Sequence, residues 1–428
     1  MVTEDLFDDL TWRGLVHQCT DPALAGLLSR ERFSAYIGFD PTADSLHVGS
    51  LQQLCLLRRV QQAGHRPIAL VGGGTGMIGD PGGKSDERVL LGRDELERNK
   101  AGVRAQLERF LDFERPGSQA GAAILEDNVT WLGDARLLDF LRDVGKLFSV
   151  NEMVRKDSVR SRLEGREQGI SFTEFSYMLL QAWDFLQLYD RYGCRLQLGG
   201  SDQWGNITEG VDLIRRRREV QAFGLTSPLV TKADGAKFGK TESGTVWLDA
   251  RRTSPYEFFQ FWIRTPDGEV GTYLRYFSFL DRAAIEALDE ATARHPERRE
   301  AQRALARELT TLVHGETEAA RAERAADVLF TEEVATLDQD TLAAALAEVP
   351  STAISPAQLD GGLALSAALV RAGLASSKSD ARRQIEGGGV YVNNRREAQD
   401  RTLRPEDVLG RFVILRRGRT QHVLRLGG

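Results

Sequence analysis

One unit repeated through the first half of this chain narrows its fold more than any other feature: a short apolar run that stops at a glycine-rich or proline-broken polar corner. The first run, Tyr36-Ile37-Gly38-Phe39, breaks at Asp40-Pro41, crosses a polar loop and enters a helix at His47-Val48-Gly49-Ser50. A helix from Leu51 to Ala63 follows, with Leu51, Leu54 and Cys55 on one face. Next, Pro67-Ile68-Ala69-Leu70-Val71 shows no polar alternation, the pattern of a parallel strand covered on both faces. It runs into Gly72-Gly73-Gly74-Thr75-Gly76 and on to Gly79-Asp80-Pro81-Gly82-Gly83-Lys84-Ser85. A third run, Arg195-Leu196-Gln197-Leu198, ends at Gly199-Gly200-Ser201-Asp202-Gln203-Trp204. Strand, loop, helix, strand and glycine loop in this order predict an α/β fold with a Rossmann-like, doubly wound parallel sheet and ligands at the carboxyl ends of its strands.

Each corner has its own chemistry. At the first, backbone N–H groups and the His47 imidazole converge on one helix start, which suits an anion. An ordinary strand–loop–helix corner is the alternative. The second is not a P-loop, because three residues rather than four separate Gly79 from Gly83-Lys84. Proline and a carboxylate would also spoil a nest of N–H groups. Asp80 is read instead as a group for something cationic, with a plain solvent loop as the alternative. At the third, Asp202 either accepts from ribose hydroxyls or belongs to a simple turn. Ile170 to Phe185, read as a helix, places Tyr177, Gln181 and Asp184 at i, i+4 and i+7 among apolar neighbours. Such a polar stripe needs partners, from a polar ligand or from a core network. Lys237 and Lys240 stand three apart around Gly239, where flexible ammonium groups could follow a polyphosphate or simply face solvent.

Other segments read as scaffold. Asp94–Phe113 and Leu137–Lys146 predict amphipathic helices, the second purely structural, and Arg215–Arg218 predicts a solvated helix face. No apolar run approaches the length needed to span a bilayer. The acidic start, Met1 to Asp9, lacks a basic flank with an apolar core, so a cytoplasmic location is expected. Cys19, Cys55 and Cys194 are an odd number, far apart and without a CxxC, which argues against a disulfide framework and against a bound zinc.

Taken together, these blocks resemble the class I aminoacyl-tRNA synthetases, and among them the bacterial tyrosyl-tRNA synthetase family. His47-Val48-Gly49-Ser50 resembles the HIGH motif, and Lys237-Phe238-Gly239-Lys240-Thr241 the KMSKS loop in a KFGKT form. The resemblance implies tyrosine activation by ATP with Mg²⁺, then transfer to tRNA(Tyr). By similarity, His47, Lys237 and Lys240 stabilise the charge building on pyrophosphate, and Thr42 lies near the γ-phosphate. Tyr36 and Asp184 match the residues that hydrogen-bond the tyrosine hydroxyl, while Asp80, Tyr177 and Gln181 match those that hold the α-ammonium group. Gln203 matches a position near the carboxylate. ATP contacts are implied for Gly38, Asp40, Gly49, Gly200, Asp202 and Lys240. Two departures stand out: Ser50 replaces the last HIGH histidine, and Ile37 stands where some relatives carry a cysteine near the ribose. Phe172 matches a family interface residue, which implies a homodimer.

The second half reads as an RNA module. The expected boundaries are a catalytic domain over 1–230, the KFGKT loop with an α-helical anticodon-binding domain over 231–347, a proline-containing linker over 348–362 and a small α+β domain over 363–428. Aromatics at Tyr256 to Trp262 read as core. The last segment, with two short helices, Gly387-Gly388-Gly389 and a turn at Asn393-Asn394, resembles the S4 RNA-binding domain, with Lys378, Arg382 and Arg383 facing phosphate. Residues 361–428 carry a balance of +7 within a chain of net −6, so the remainder stands at −13. That asymmetry favours a polyanionic partner. The rivals are a tryptophanyl-tRNA synthetase, against which Tyr36 with Asp184 argues, and a non-catalytic RNA-binding protein, against which His47, Lys237, Lys240 and Asp202 argue.

Overall fold

The structure is a computed structural model that describes residues 5–80, 92–113, 121–156, 159–160, 163, 170–231, 238–241, 244–329, 331–347, 349–418 and 420–427. Two compact units divide the chain. The first holds residues 1–253 and 265–305, the second 254–264 and 306–428.

The first unit is built on a six-stranded sheet of β1 (Gln18–Cys19), β2 (Ser34–Phe39), β3 (Arg66–Val71), β4 (Ile124–Asp127), β5 (Leu196–Gly200) and β6 (Phe223–Ser227). Its order is β1-β6-β5-β2-β3-β4, with every pairing parallel except β1 against β6. The order reverses between β2 and β5, so the ends of these two strands open a crevice. Burial explains the apolar runs: Ile68, Ala69, Leu70 and Val71 of β3 are all buried, as are all five residues of β5. Helix Val48–Gln62 packs Leu51, Leu54 and Cys55 inward, and helix Phe172–Tyr192 crosses the sheet beside helix Trp204–Arg218. A capping box starts the Phe172 helix: the Ser171 hydroxyl accepts from the Glu174 N–H at 3.2 Å, and the Glu174 carboxylate accepts in return from the Ser171 N–H at 3.4 Å. Gly193, at φ 61°, ends it in the left-handed conformation.

Helix Leu137–Asp143 departs from its expected structural role. It buries none of its residues fully: Phe140 packs on Trp183 at 5.1 Å, while Leu137 at 70% and Leu138 at 78% exposure stand open to solvent.

In the second unit, strands β9 (Ser351–Ile354), β10 (Val390–Val392), β11 (Arg395–Glu397), β12 (Phe412–Arg417) and β13 (Thr420–Leu426) form a sheet of order β11-β10-β12-β13-β9. One face holds Val390, Val413, Leu415 and Leu424 against helices Leu365–Arg371 and Lys378–Glu386. The opposite face packs Phe412, Ile414 and Val423 on Tyr256, Leu329, Leu342 and Leu346, so the helices and the sheet share a core. Burial of each such side chain contributes about 1.5–3 kcal/mol. The stretch 348–362, expected as a linker, instead supplies β9, paired parallel to β13, and a short helix Pro356–Asp360. Its prolines begin elements rather than break them: Ser355 caps a helix with Pro356 at the first position.

Candidate active site

The carboxyl ends of β2, β3 and β5 meet at a cavity of about 560 Å³ in the first unit. Tyr36, Gly38, Asp40, His47, Gly49, Ser50, Asp80, Tyr177, Gln181, Asp184, Gly200, Asp202 and Gln203 all line it, as does Phe238. Thr42 does not: its side chain is exposed, while its N–H donates to the Asp40 carbonyl at 2.8 Å. Lys237 and Lys84 lie outside the described residues, and of Lys240 the strand it enters is described, but not its side chain.

At the buried end stands Asp184, 2% exposed. One carboxylate oxygen accepts from Trp131 Nε1 at 2.7 Å and the other from Asn128 Nδ2 at 2.9 Å. Burial pushes its pKa up to about 7 against the pull of those two donors. Tyr36, 1% exposed, leaves its phenol oxygen without a hydrogen-bond partner among the described residues. Burial and then the Asp184 charge hold the Tyr36 pKa well above its ordinary value, so the hydroxyl keeps its proton. Its ring packs at 5.2 Å from that of Phe185.

A continuous network runs outward from there. Asn128 accepts from the Gly74 N–H at 2.7 Å and donates to Thr75 Oγ1 at 2.9 Å; Thr75 in turn donates to Asp40 at 2.9 Å. Tyr177 donates to the other Asp40 oxygen at 3.0 Å. Gly72 leaves room for this arrangement, since a Cβ there would stand 2.2 Å from the Asp40 carboxylate. Nearer the mouth, Gln203 Nε2 donates to Asp80 at 2.7 Å and its carbonyl accepts from Gln181 at 3.1 Å; Asn206 donates to Gln181 at 3.0 Å. Three carboxylates, Asp40, Asp80 and Asp202, therefore face this part of the cavity, and burial followed by the nearby Asp80 charge raises the Asp202 pKa against its bond from Gln203.

The helix start at His47 differs from the open anion site expected of it. The Val48 N–H donates to the Val246 carbonyl at 3.0 Å, the Gly49 N–H to His47 Nδ1 at 3.0 Å and the Ser50 N–H to the His47 carbonyl at 2.8 Å. Those donors are committed within the chain, so the start offers its dipole and its imidazole rather than a nest of N–H groups. Because Nδ1 accepts, the neutral ring carries its proton on Nε2 and is a donor there. The imidazole folds back over the first turn, which explains Gly49: a Cβ would lie 2.6 Å from His47 Cε1. Phe238 and Gly239 close on this turn. A Cβ on Gly239, at φ 80°, would meet Val48 Cγ2 at 2.6 Å, and Phe238 stacks on Phe277 at 5.7 Å and 13°.

The family model for tRNA synthetases class I (W and Y) matches residues 28–331. The chain belongs to that family. A second model, the tyrosine–tRNA ligase SYY-like C-terminal domain, matches residues 341–425 of this class I synthetase. A tyrosine–tRNA ligase of Roseiflexus castenholzii is 55% identical over 98% of this chain and 99% of its own length. One from Geobacillus stearothermophilus is 53% identical over 98% and 99%. Among solved structures, a C-terminally truncated mitochondrial tyrosyl-tRNA synthetase of Aspergillus nidulans superposes with a TM-score of 0.68 at 32% identity, covering 76% of this chain and 94% of that one.

Two residues that organise the site escape the motif-based reading: Asn128 and Trp131, which hold both oxygens of Asp184. Their signal was present in weak form, for Asp127-Asn128 ends β4 as the other polar corners end β2, β3 and β5.

Proposed function

We propose that this synthetase is a tyrosine–tRNA ligase that joins L-tyrosine to ATP as tyrosyl-adenylate and passes the tyrosyl group to the 3′ ribose of tRNA(Tyr). The observation that carries the substrate choice is the buried, unpartnered Tyr36 hydroxyl beside the Asp184 carboxylate. A substrate phenol entering here accepts from Tyr36, which gains the partner it lacks, and donates to Asp184, whose oxygens already accept from Trp131 and Asn128. An indole or a phenyl ring offers no acceptor oxygen and leaves the Tyr36 hydroxyl unsatisfied. Rejection of phenylalanine by about 10⁵ without editing is the known behaviour of tyrosyl-tRNA synthetases, a figure taken from the family rather than derived from this structure.

The rest of the cavity suits the remaining atoms. Asp80, oriented by Gln203, together with Gln181 and Tyr177, faces the α-ammonium group, and Gln203 lies near the carboxylate. ATP lies towards Gly38, Asp40, Gly49, Gly200 and Asp202, where Gly38 leaves open space beside the strand and Asp202 accepts from the ribose. The tyrosine carboxylate oxygen attacks the α-phosphorus, forming the acyl–phosphate bond as the bond to the bridging oxygen breaks, and pyrophosphate leaves with the electron pair. His47 Nε2–H, Lys237 and Lys240 stabilise that charge, and Thr42 lies by the γ-phosphate; the chain's work is positioning and electrostatics. Mg²⁺ bound with the triphosphate would supply charge neutralisation there.

In this reading the enzyme acts in the cytoplasm, and the described residues contain no helix long and apolar enough to cross a membrane. It acts as a homodimer, supported by Leu137 and Leu138 and by Phe172 at 79% exposure. Lys378, Arg382 and Arg383 contribute to tRNA binding.

Tyr36→Phe tests the substrate assignment. It should lower kcat/KM for tyrosine about tenfold and narrow the preference over phenylalanine, while stabilising the ligand-free protein by about 1 kcal/mol because a buried unsatisfied hydroxyl is gone. Unchanged tyrosine-to-phenylalanine discrimination would remove Tyr36 from substrate recognition.

A further inference from the structure

Lys240–Thr241 pairs antiparallel with Gly244–Thr245, and the four residues that follow, Val246-Trp247-Leu248-Asp249, run against the His47 corner. The Asp249 N–H donates to Ser45 Oγ at 3.2 Å, the Leu248 N–H to the Leu46 carbonyl at 2.9 Å, and Trp247 pairs with His47 as an isolated antiparallel bridge. Val246 faces both ways: its carbonyl accepts from the Val48 N–H at 3.0 Å, and its N–H donates to the Gly239 carbonyl at 2.9 Å. One short stretch of backbone therefore joins the helix start that carries His47 to the turn that leads into Lys240.

The Trp247 side chain extends this splint. Its ring and the His47 imidazole meet nearly at right angles, 73° with 6.0 Å between centroids, the edge-to-face geometry that aromatic pairs prefer. The Arg252 guanidinium lies 3.6 Å over the Trp247 ring, and Asp44 holds that guanidinium at 2.7 Å. Asp44 belongs to the loop that leads into His47, so the brace begins and ends on the corner it supports. The Trp247 N–H donates to the buried Thr253 hydroxyl at 2.9 Å, which fixes the backbone beneath the ring. His47 needs such support, because its bond from the Gly49 N–H is exposed and leaves the imidazole free to tilt about Nδ1.

We propose that Trp247, braced by Arg252 and Asp44, is a positioning residue for His47: it sets the tilt of the imidazole so that Nε2–H points to where charge develops on pyrophosphate. Trp247 and Arg252 both lie outside the cavity lining, so their effect on the reaction passes through His47. A donor held in place before the reaction costs no reorganisation when the charge appears. The assignment rests on the ligase reading of the cavity.

The test is a double-mutant cycle on the full-length chain, reading the single-turnover rate of adenylate formation, with equilibrium tyrosine binding and melting temperature measured alongside. Trp247→Leu should slow adenylate formation about fivefold, the worth of one aromatic pair, with tyrosine affinity unchanged, and Trp247→Phe should recover most of the rate. Arg252→Gln should slow it about twofold. In a His47→Gln background neither change should cost more than about 1.5-fold, because the group they position is gone. A wild-type rate in Trp247→Leu, or the same fold loss with and without His47, would overturn the positioning role while leaving the ligase reading intact. A wild-type protein without tyrosine-dependent adenylate formation would overturn the ligase reading itself. Should Trp247→Leu melt early, Arg252→Gln at the exposed end of the brace carries the cycle, and equal losses in the two backgrounds would again overturn the role.

Discussion

Asp184 shows most clearly how single residues set the behaviour of this site. Its folded pKa of about 7 lies above that of an exposed aspartate, because burial outweighs the bonds from Asn128 and Trp131. The folded chain thus keeps a proton that the unfolded chain gives up near pH 4, so stability is fullest at low pH and falls as pH rises from about 4 to about 7. The loss is on the order of 4 kcal/mol at most. Urea unfolding at pH 5 and pH 8 checks this: the wild type should lose more stability between the two than Asp184→Asn, and parallel losses would contradict it. Tyr177, Gln181 and Asp184 could be named from sequence because they share a helix face, and Tyr36, inside β2, through its match to the family's residues. Asn128 could not, since its importance lies in joining Asp184 to Thr75 across 53 to 56 positions of chain, a link that spacing does not encode.

At the level of elements, the helix that starts at His47 is where sequence and structure part most instructively. The sequence marks the strand, the corner and the helix start correctly, yet it cannot say which N–H groups remain available. Val246, far along the chain, takes one of them, and the His47 side chain takes another. The imidazole, held by the Gly49 N–H, is consequently the donor that matters. Gly49→Ala should push the ring aside and slow adenylate formation about 10²-fold, with tyrosine affinity retained, because a preorganised donor is lost and the amino-acid pocket is not. Pre-steady-state adenylate kinetics with equilibrium tyrosine binding separate the two effects, and an unaffected rate would dismiss the steric role of Gly49. Proline misled the reading of 348–362 for a related reason: at a first helical position it starts structure, and only the pairing of β9 with β13 shows that the segment is part of a sheet.

For the whole molecule, composition located the basic end and the apolar runs located the parallel sheet, but burial beyond a single chain left a weaker trace. Helix Leu137–Asp143 has the amphipathic pattern of a core element while its leucines face outward. An exposed apolar face of this kind marks an interaction site, and the proposed homodimer would cover it. Leu138→Glu combined with Phe172→Glu should shift sedimentation from dimer towards monomer without lowering the melting temperature of the protomer by more than about 0.5 kcal/mol equivalent, since both side chains are solvent-facing there. A dimer that persists would move the interface elsewhere. All of this hangs on what the cavity accepts. ATP–pyrophosphate exchange with tyrosine, phenylalanine and tryptophan offered in parallel asks that question directly. Exchange should depend on tyrosine, with neither other amino acid supporting it appreciably; exchange driven by tryptophan, or none with tyrosine, would overturn the tyrosine assignment.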